Sequence, residues 1–173
     1  DFGKIYFDIK LYKEAAAIYD IATLNPNSRN FLFDNYYYGY ATYFDNINKK
    51  NGEKPDFEAL QKADLAFKNL LAARPTQQDA YLYRARINSI LEGVPGALEE
   101  MVKNYELFMK VVTDKGPDEF KKAGVSGKFV EAYINIGVYY LKLDQAKAKE
   151  SFENALKIDP TNETAKANLK LIK

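Results

Sequence analysis

Tyr36, Tyr40 and Tyr43 recur at i, i+4 and i+7 within FLFDNYYYGYATYF (31–44), a spacing that lays three phenol rings along one face of a helix. Tyr37, Ala41 and Phe44 form the adjacent stripe, and one of the two stripes must be core. Farther along, Arg84 and Arg86 stand two apart in YLYRAR, so they lie on different faces of a helix and at most one guanidinium can join the tyrosines. Aromatic rings with a guanidinium at their edge suit an extended peptide or a partner helix. Rings also stack on sugar faces, although the absence of Trp makes a glycan surface the weaker reading. The competing role for the same side chains is packing between helices, with an arginine lying over tyrosines at the surface.

Other chemistries find little support. The chain has no His and no Cys, which removes Ser-His and Cys-His nucleophiles, disulfides and the usual structural zinc sites. Two carboxylate groupings could be imagined as acid–base pairs: Glu99, Glu100 and Glu106, and Asp114, Asp118 and Glu119. Both sit in lysine-rich sequence with no apolar pocket to raise a pKa, so they read as solvated faces. TDKGPDE lacks the ligand spacing of a calcium loop, and Gly93-Val94-Pro95-Gly96 lacks the ending of a phosphate loop. These observations predict a protein that is not an enzyme and uses no cofactor or metal. Its 25 basic and 24 acidic residues balance to a net charge of +1, with no basic stripe for nucleic acid. No apolar run approaches the roughly 20 residues of a membrane span. The expectation is a soluble chain, cytoplasmic or periplasmic, since a sequence without cysteine suits either compartment.

The elements that must position the tyrosines read almost entirely as helix. YKEAAAIYDIA (12–22), EALQKADLAFKNLLAA (58–73) and QAKAKESFENALK (145–157) combine good helix formers with apolar residues three and four apart. Asn25-Pro26, Arg74-Pro75 and Asp159-Pro160 punctuate the ends of these runs. Loops are expected at 45–55, 113–117 and 123–127. The three runs share a skeleton of Ala15, Tyr19, Ala22 and Pro26; Ala63, Phe67, Leu70 and Pro75; and Ala148, Phe152, Ala155 and Pro160. Each follows a helix with a small residue and then an aromatic: Gly3 and Tyr6, Gly39 and Tyr43, Gly137 and Tyr140. Small residues let two helix backbones approach closely while the aromatics fill the space beside them.

This pattern resembles the tetratricopeptide repeat, W-x2-L-G-x2-Y…A-x3-F…P, a helix-turn-helix unit of about 34 residues. The fullest match is Tyr133, Ile136, Gly137, Tyr140, Ala148, Phe152, Ala155 and Pro160. A less regular copy runs from Tyr81 through Ala85 to Tyr105 and Phe108, and the whole looks like bacterial repeat proteins of unassigned role. The resemblance implies an all-α, right-handed solenoid of antiparallel helix pairs in one array over 1–173. Approximate repeats fall at 1–28, 29–76, 77–127 and 128–161, followed by a capping helix at 162–173. It further implies that the concave groove is lined by Tyr36, Tyr40, Tyr43 and Phe44, by Leu82, Arg86 and Ser89, and by Ile134, Val138 and Leu141. The function so implied is a non-enzymatic scaffold that binds a protein or peptide in this groove, without the carboxylate clamp of some family members. If the tyrosines line a groove, Tyr40→Ala and Arg86→Glu weaken binding with little change in melting; if they are core, stability falls. The alternative is an assembly or spacer module of a longer protein. Gly3 stands where mid-helix is expected, leaving Phe2, Ile5 and Tyr6 at an open N-terminal end through which the chain could self-associate.

Overall fold

The computed structural model describes residues 1–50 and 52–172. Asn51, in the first expected loop, and Lys173, at the end of the expected cap, lie outside the described residues. Among the described residues every regular element is helical: α1 (Phe2–Asp8), α2 (Tyr12–Ala22), α3 (Phe31–Ile47), α4 (Phe57–Ala73), α5 (Gln78–Ile90), α6 (Ala97–Asp114), α7 (Pro117–Phe120), α8 (Val125–Tyr140), α9 (Gln145–Ile158) and α10 (Glu163–Leu169). Local chemistry places their ends. The Asp56 side chain accepts from Ala59 N at 3.0 Å, Asp144 from Ala146 N and Lys147 N at 3.1 Å, and Asn162 from Ala165 N at 3.0 Å, so each satisfies amides that a helix start leaves bare. At the other end, Arg74 and Asp159 leave helical geometry (ψ 71° and 89°) because each precedes a proline.

The loops differ from expectation by a few residues, for identifiable reasons. Helix α3 runs on to Ile47 because Asn46 is buried, donating to Thr42 O at 2.9 Å while its Oδ1 accepts the Asp56 amide at 2.6 Å. Helix α8 begins inside the expected 123–127 loop because Gly124, at φ +78°, completes the turn before it. The C-terminal helix occupies 163–169 of the expected 162–173, with Asn162 as its cap.

Packing divides the chain into two compact units, Asp1–Met101 and Val102–Lys173. In the first, adjacent helices pair: α1 with α2, α3 with α4, and α5 against α4 and α3. The α3–α4 pair is antiparallel, since Asn46 meets Asp56 at one end, Gly39 meets Phe67 midway, and Asn35 accepts from Asn69 at 3.2 Å toward the other. Tyr19, Leu60, Phe67, Leu70 and Ile87 form its core. In the second unit α8 pairs with α9, and α10 packs on α9. Phe152, Ala148, Ala155 and Ala165 are fully buried there, and Phe129 of α8 contacts Phe108 of α6 and Phe120 of α7 at ring distances of 5.6 and 5.0 Å.

One contact recurs in three pairs. A Cβ built on Gly3 would lie 2.7 Å from the Tyr19 ring, one on Gly39 2.5 Å from Phe67, and one on Gly137 2.6 Å from Phe152. Each glycine thus lets the aromatic of the following helix rest against its backbone, and the first alanine of each skeleton (Ala15, Ala63, Ala148) is fully buried. The less regular copy has Ala85 in the glycine's place, also fully buried.

Candidate functional site

The densest aromatic packing lies in the first unit and centres on Tyr83 of α5. Its ring stands 4.4 Å from Tyr40, 5.0 Å from Tyr43, 5.8 Å from Phe44 and 6.2 Å from Phe67, measured between centroids. Tyr36 extends the layer through Tyr40 at 4.6 Å. Tyr12 and Phe7 extend it past Phe44 at 5.1 and 6.4 Å. Edge-to-face and tilted pairs dominate, the arrangement that ring quadrupoles favour. The Arg86 guanidinium lies 5.0 Å from the Tyr83 centroid.

Within this layer the side chains divide into base and rim. Tyr40 is buried, with 7% of its surface exposed, and burial pushes its phenol far above the ordinary range. Tyr36, Tyr43, Phe44, Arg86 and Ser89 are half-buried and form the rim. Burial also raises the Tyr36 and Tyr83 phenols, opposed at Tyr83 by the positive charge of Arg86. Leu82 is fully buried and presents no surface. Ile134, Val138 and Leu141 belong to the second unit: Ile134 and Leu141 pack against its core, while Val138 is half-exposed.

The two arginines of YLYRAR part company as their spacing requires. Arg84 is buried; its Nε and Nη2 each donate to Asp64 at 2.9 Å, and Nη2 also donates to Glu100 at 3.2 Å. Asn88 Nδ2 donates to the same Asp64 at 2.7 Å, so this network joins α4, α5 and the start of α6 as an internal tie. Arg86 alone of the pair stands at the aromatic layer. Members of the two carboxylate groupings sit in ion pairs: Glu100 with Arg84, Asp114 with Lys110 at 2.6 Å, Asp118 with Lys121 at 3.1 Å and Glu119 with Lys122 at 2.6 Å.

Sequence reasoning passed over Tyr83 itself. A signal existed in the repeat register: Tyr83 stands two residues before Ala85, as Tyr37 stands two before Gly39. The contacts are equivalent too. Tyr37 packs on Phe7 at 5.1 Å and Tyr19 at 5.6 Å; one helix pair later, Tyr83 packs on Tyr43 and Phe67. Phe7 and Tyr43 each lie four residues after their glycine, so Tyr43 serves in part as a packing residue between pairs.

Fold and site together define an all-helical molecule of adjacent helix pairs carrying a recurrent glycine–aromatic contact and a half-open aromatic rim. No known protein family matches the chain, and no curated protein matches it. Among the described residues no helix is long and apolar enough to cross a membrane.

Proposed function

We propose that the chain is a tetratricopeptide-type array, a right-handed solenoid of helix pairs, acting as a non-enzymatic scaffold for a segment of another protein. The binding surface is the rim formed by Tyr36, Tyr43, Phe44 and Arg86, standing on the buried ring of Tyr40 and the half-buried ring of Tyr83. The repeat reading is supported by the contact that Tyr37 makes with Phe7 and Tyr19 and that Tyr83 repeats on Tyr43 and Phe67. Such repetition is what stacking of like units produces.

The observation that carries the binding role is the half-exposed state of Tyr36, Tyr43, Phe44 and Arg86 above the buried Tyr40 ring. Tyr and Arg are enriched at interface hot spots because each offers a large contact area and directional hydrogen bonds. A buried base holds the rim rings in place before binding, which lowers the ordering cost of association. An extended peptide or an amphipathic helix can use such a rim, with apolar residues on the rings and an acceptor on Arg86.

The test is affinity capture from an extract of the source cell with wild type and with Tyr43→Ala/Arg86→Glu, with folding compared by circular dichroism. The proposal expects a specific protein to be retained by wild type and lost from the equally folded variant. Equal capture by both, or none by either, would remove the rim as the working surface.

A further inference from the structure

The side of α3 opposite the tyrosine rim opens into a recess of about 280 Å³ between α2 and α4. That is close to the lower end, about 300 Å³, of sites that hold small ligands. Its floor is Tyr38, Thr42 and Asn46, all buried. Its walls carry the carboxylates of Asp20, Asp45, Asp56 and Glu58 and the ammonium of Lys62. Lys62 pairs with Glu58 at 3.3 Å, which leaves the other three carboxylates without an ion pair. Asn46 fixes one of them in place: its Oδ1 accepts the Asp56 amide, and Asp56 Oδ1 accepts from Ala59 N, so Asp56 Oδ2 stays available to another donor. Asp45 is half-buried, and burial raises its carboxyl pKa above the ordinary 3.8, opposed by the charges of Lys49 and Lys13.

The floor gives an independent sign of a ligand. Thr42 is 2% exposed, and its Oγ1 is buried without a hydrogen-bond partner. A buried hydroxyl left unpaired is costly, and because Thr42 lines the recess a donor can come to it from there. An acceptor at the base with carboxylates around it suits a positively charged group rich in N–H donors. Among the described residues no group of three or more His, Cys, Asp or Glu is placed to hold a metal ion, so the spread of these carboxylates fits a larger cation that reaches them separately. We propose that this recess binds an organic cation, an ammonium or guanidinium group on an alkyl stem. Its N–H donors meet Asp20, Asp45, Asp56 and Thr42 Oγ1, and its stem lies along Ala16 and Ala17 of α2. Such a group arrives either as a free polyamine or as a basic side chain of another protein. The recess and the aromatic rim lie on opposite sides of α3, and the two proposals stand or fall independently.

The experiment is a nuclear magnetic resonance titration of the isotope-labelled chain at low ionic strength with three probes: spermidine, the peptide acetyl-Gly-Lys-Gly-amide, and its uncharged counterpart with norleucine in place of lysine. The expected result is saturable shifts of the Tyr38, Thr42 and Asp45 amides with a cationic probe and none with the norleucine peptide. The Asp45 carboxyl pKa should fall as the site fills, because a positive neighbour favours the ionised form. Spermidine saturating at the lower concentration assigns the site to a free polyamine, and the lysine peptide doing so assigns it to a basic side chain. Asp45→Asn and Asp20→Asn should each weaken binding about tenfold, and Thr42→Val severalfold, with the helical circular dichroism signal unchanged. Asp56 is left intact in this test because it caps α4. No saturable shift with either cation, shifts spread evenly over the acidic surface, or wild-type affinity in both aspartate variants would overturn the proposal.

Discussion

Tyr40 and Tyr43 stand three positions apart and differ in what their loss would cost. Tyr40 contacts Tyr36, Phe44, Phe67 and Tyr83 from a buried position, so Tyr40→Ala removes a filled volume and is expected to lower stability by about 3–5 kcal/mol. Tyr43→Ala, at the half-exposed rim, should cost clearly less; urea denaturation of the two variants makes the comparison. The arginines form a second contrast. Arg84→Met leaves Asp64 without its bidentate partner and should cost about 3 kcal/mol. Arg86→Met forfeits an arginine–ring contact of about 0.5–1 kcal/mol. Asp34 provides a pH signature. Burial raises its carboxyl pKa above the ordinary 3.8, so the ionised form is disfavoured in the folded chain and its effect on stability improves as pH falls through the folded value. Asp34→Asn should accordingly melt higher than wild type at pH 7, and the difference should vanish as pH falls toward 3.8.

At the scale of elements, the recurrent glycine sets how closely two helices approach. Gly39→Ala would bring a Cβ within 2.5 Å of Phe67 ring atoms, deep in a packed pair, and should destabilise by about 1–3 kcal/mol. Combining it with Phe67→Leu should recover part of that loss, and a double-mutant cycle in denaturant measures the coupling. The α1–α2 turn holds the opposite case. Lys10 has φ +63°, in the left-handed region where a Cβ is penalised. Lys10→Gly should therefore raise stability, by up to about 1 kcal/mol, read as a shift in melting temperature.

Across the whole molecule, the burial of several phenols links folding to alkaline pH. Tyr19, Tyr38 and Tyr40 all have pKa values held well above the ordinary 10.0, with burial the largest cause. Their contribution to stability is thus complete below pH 10 and is lost as pH climbs through the folded values. Absorbance titration should show some of the 14 tyrosines ionising near pH 10 and a further group only together with loss of the helical circular dichroism signal. A titration in which all tyrosines ionise before any helix is lost would contradict the buried state of these rings.

Helix content, proline-marked ends and the glycine–aromatic register were legible in the residues alone, because they arise from contacts between near neighbours or from backbone limits that any context imposes. The spacing of Arg84 and Arg86 likewise separated them before any coordinates did. Position within a stripe was not enough to assign each tyrosine. Tyr36, Tyr40 and Tyr43 share one face of α3, yet Tyr40 is buried because Tyr83, from a helix some forty residues away in sequence, lies across it. Leu82 was expected on the same surface as Arg86 and is fully buried. Such distinctions depend on which neighbouring helix covers which arc of a helix face. Periodicity along a single helix carries no information on that point, and only the tertiary packing decides it.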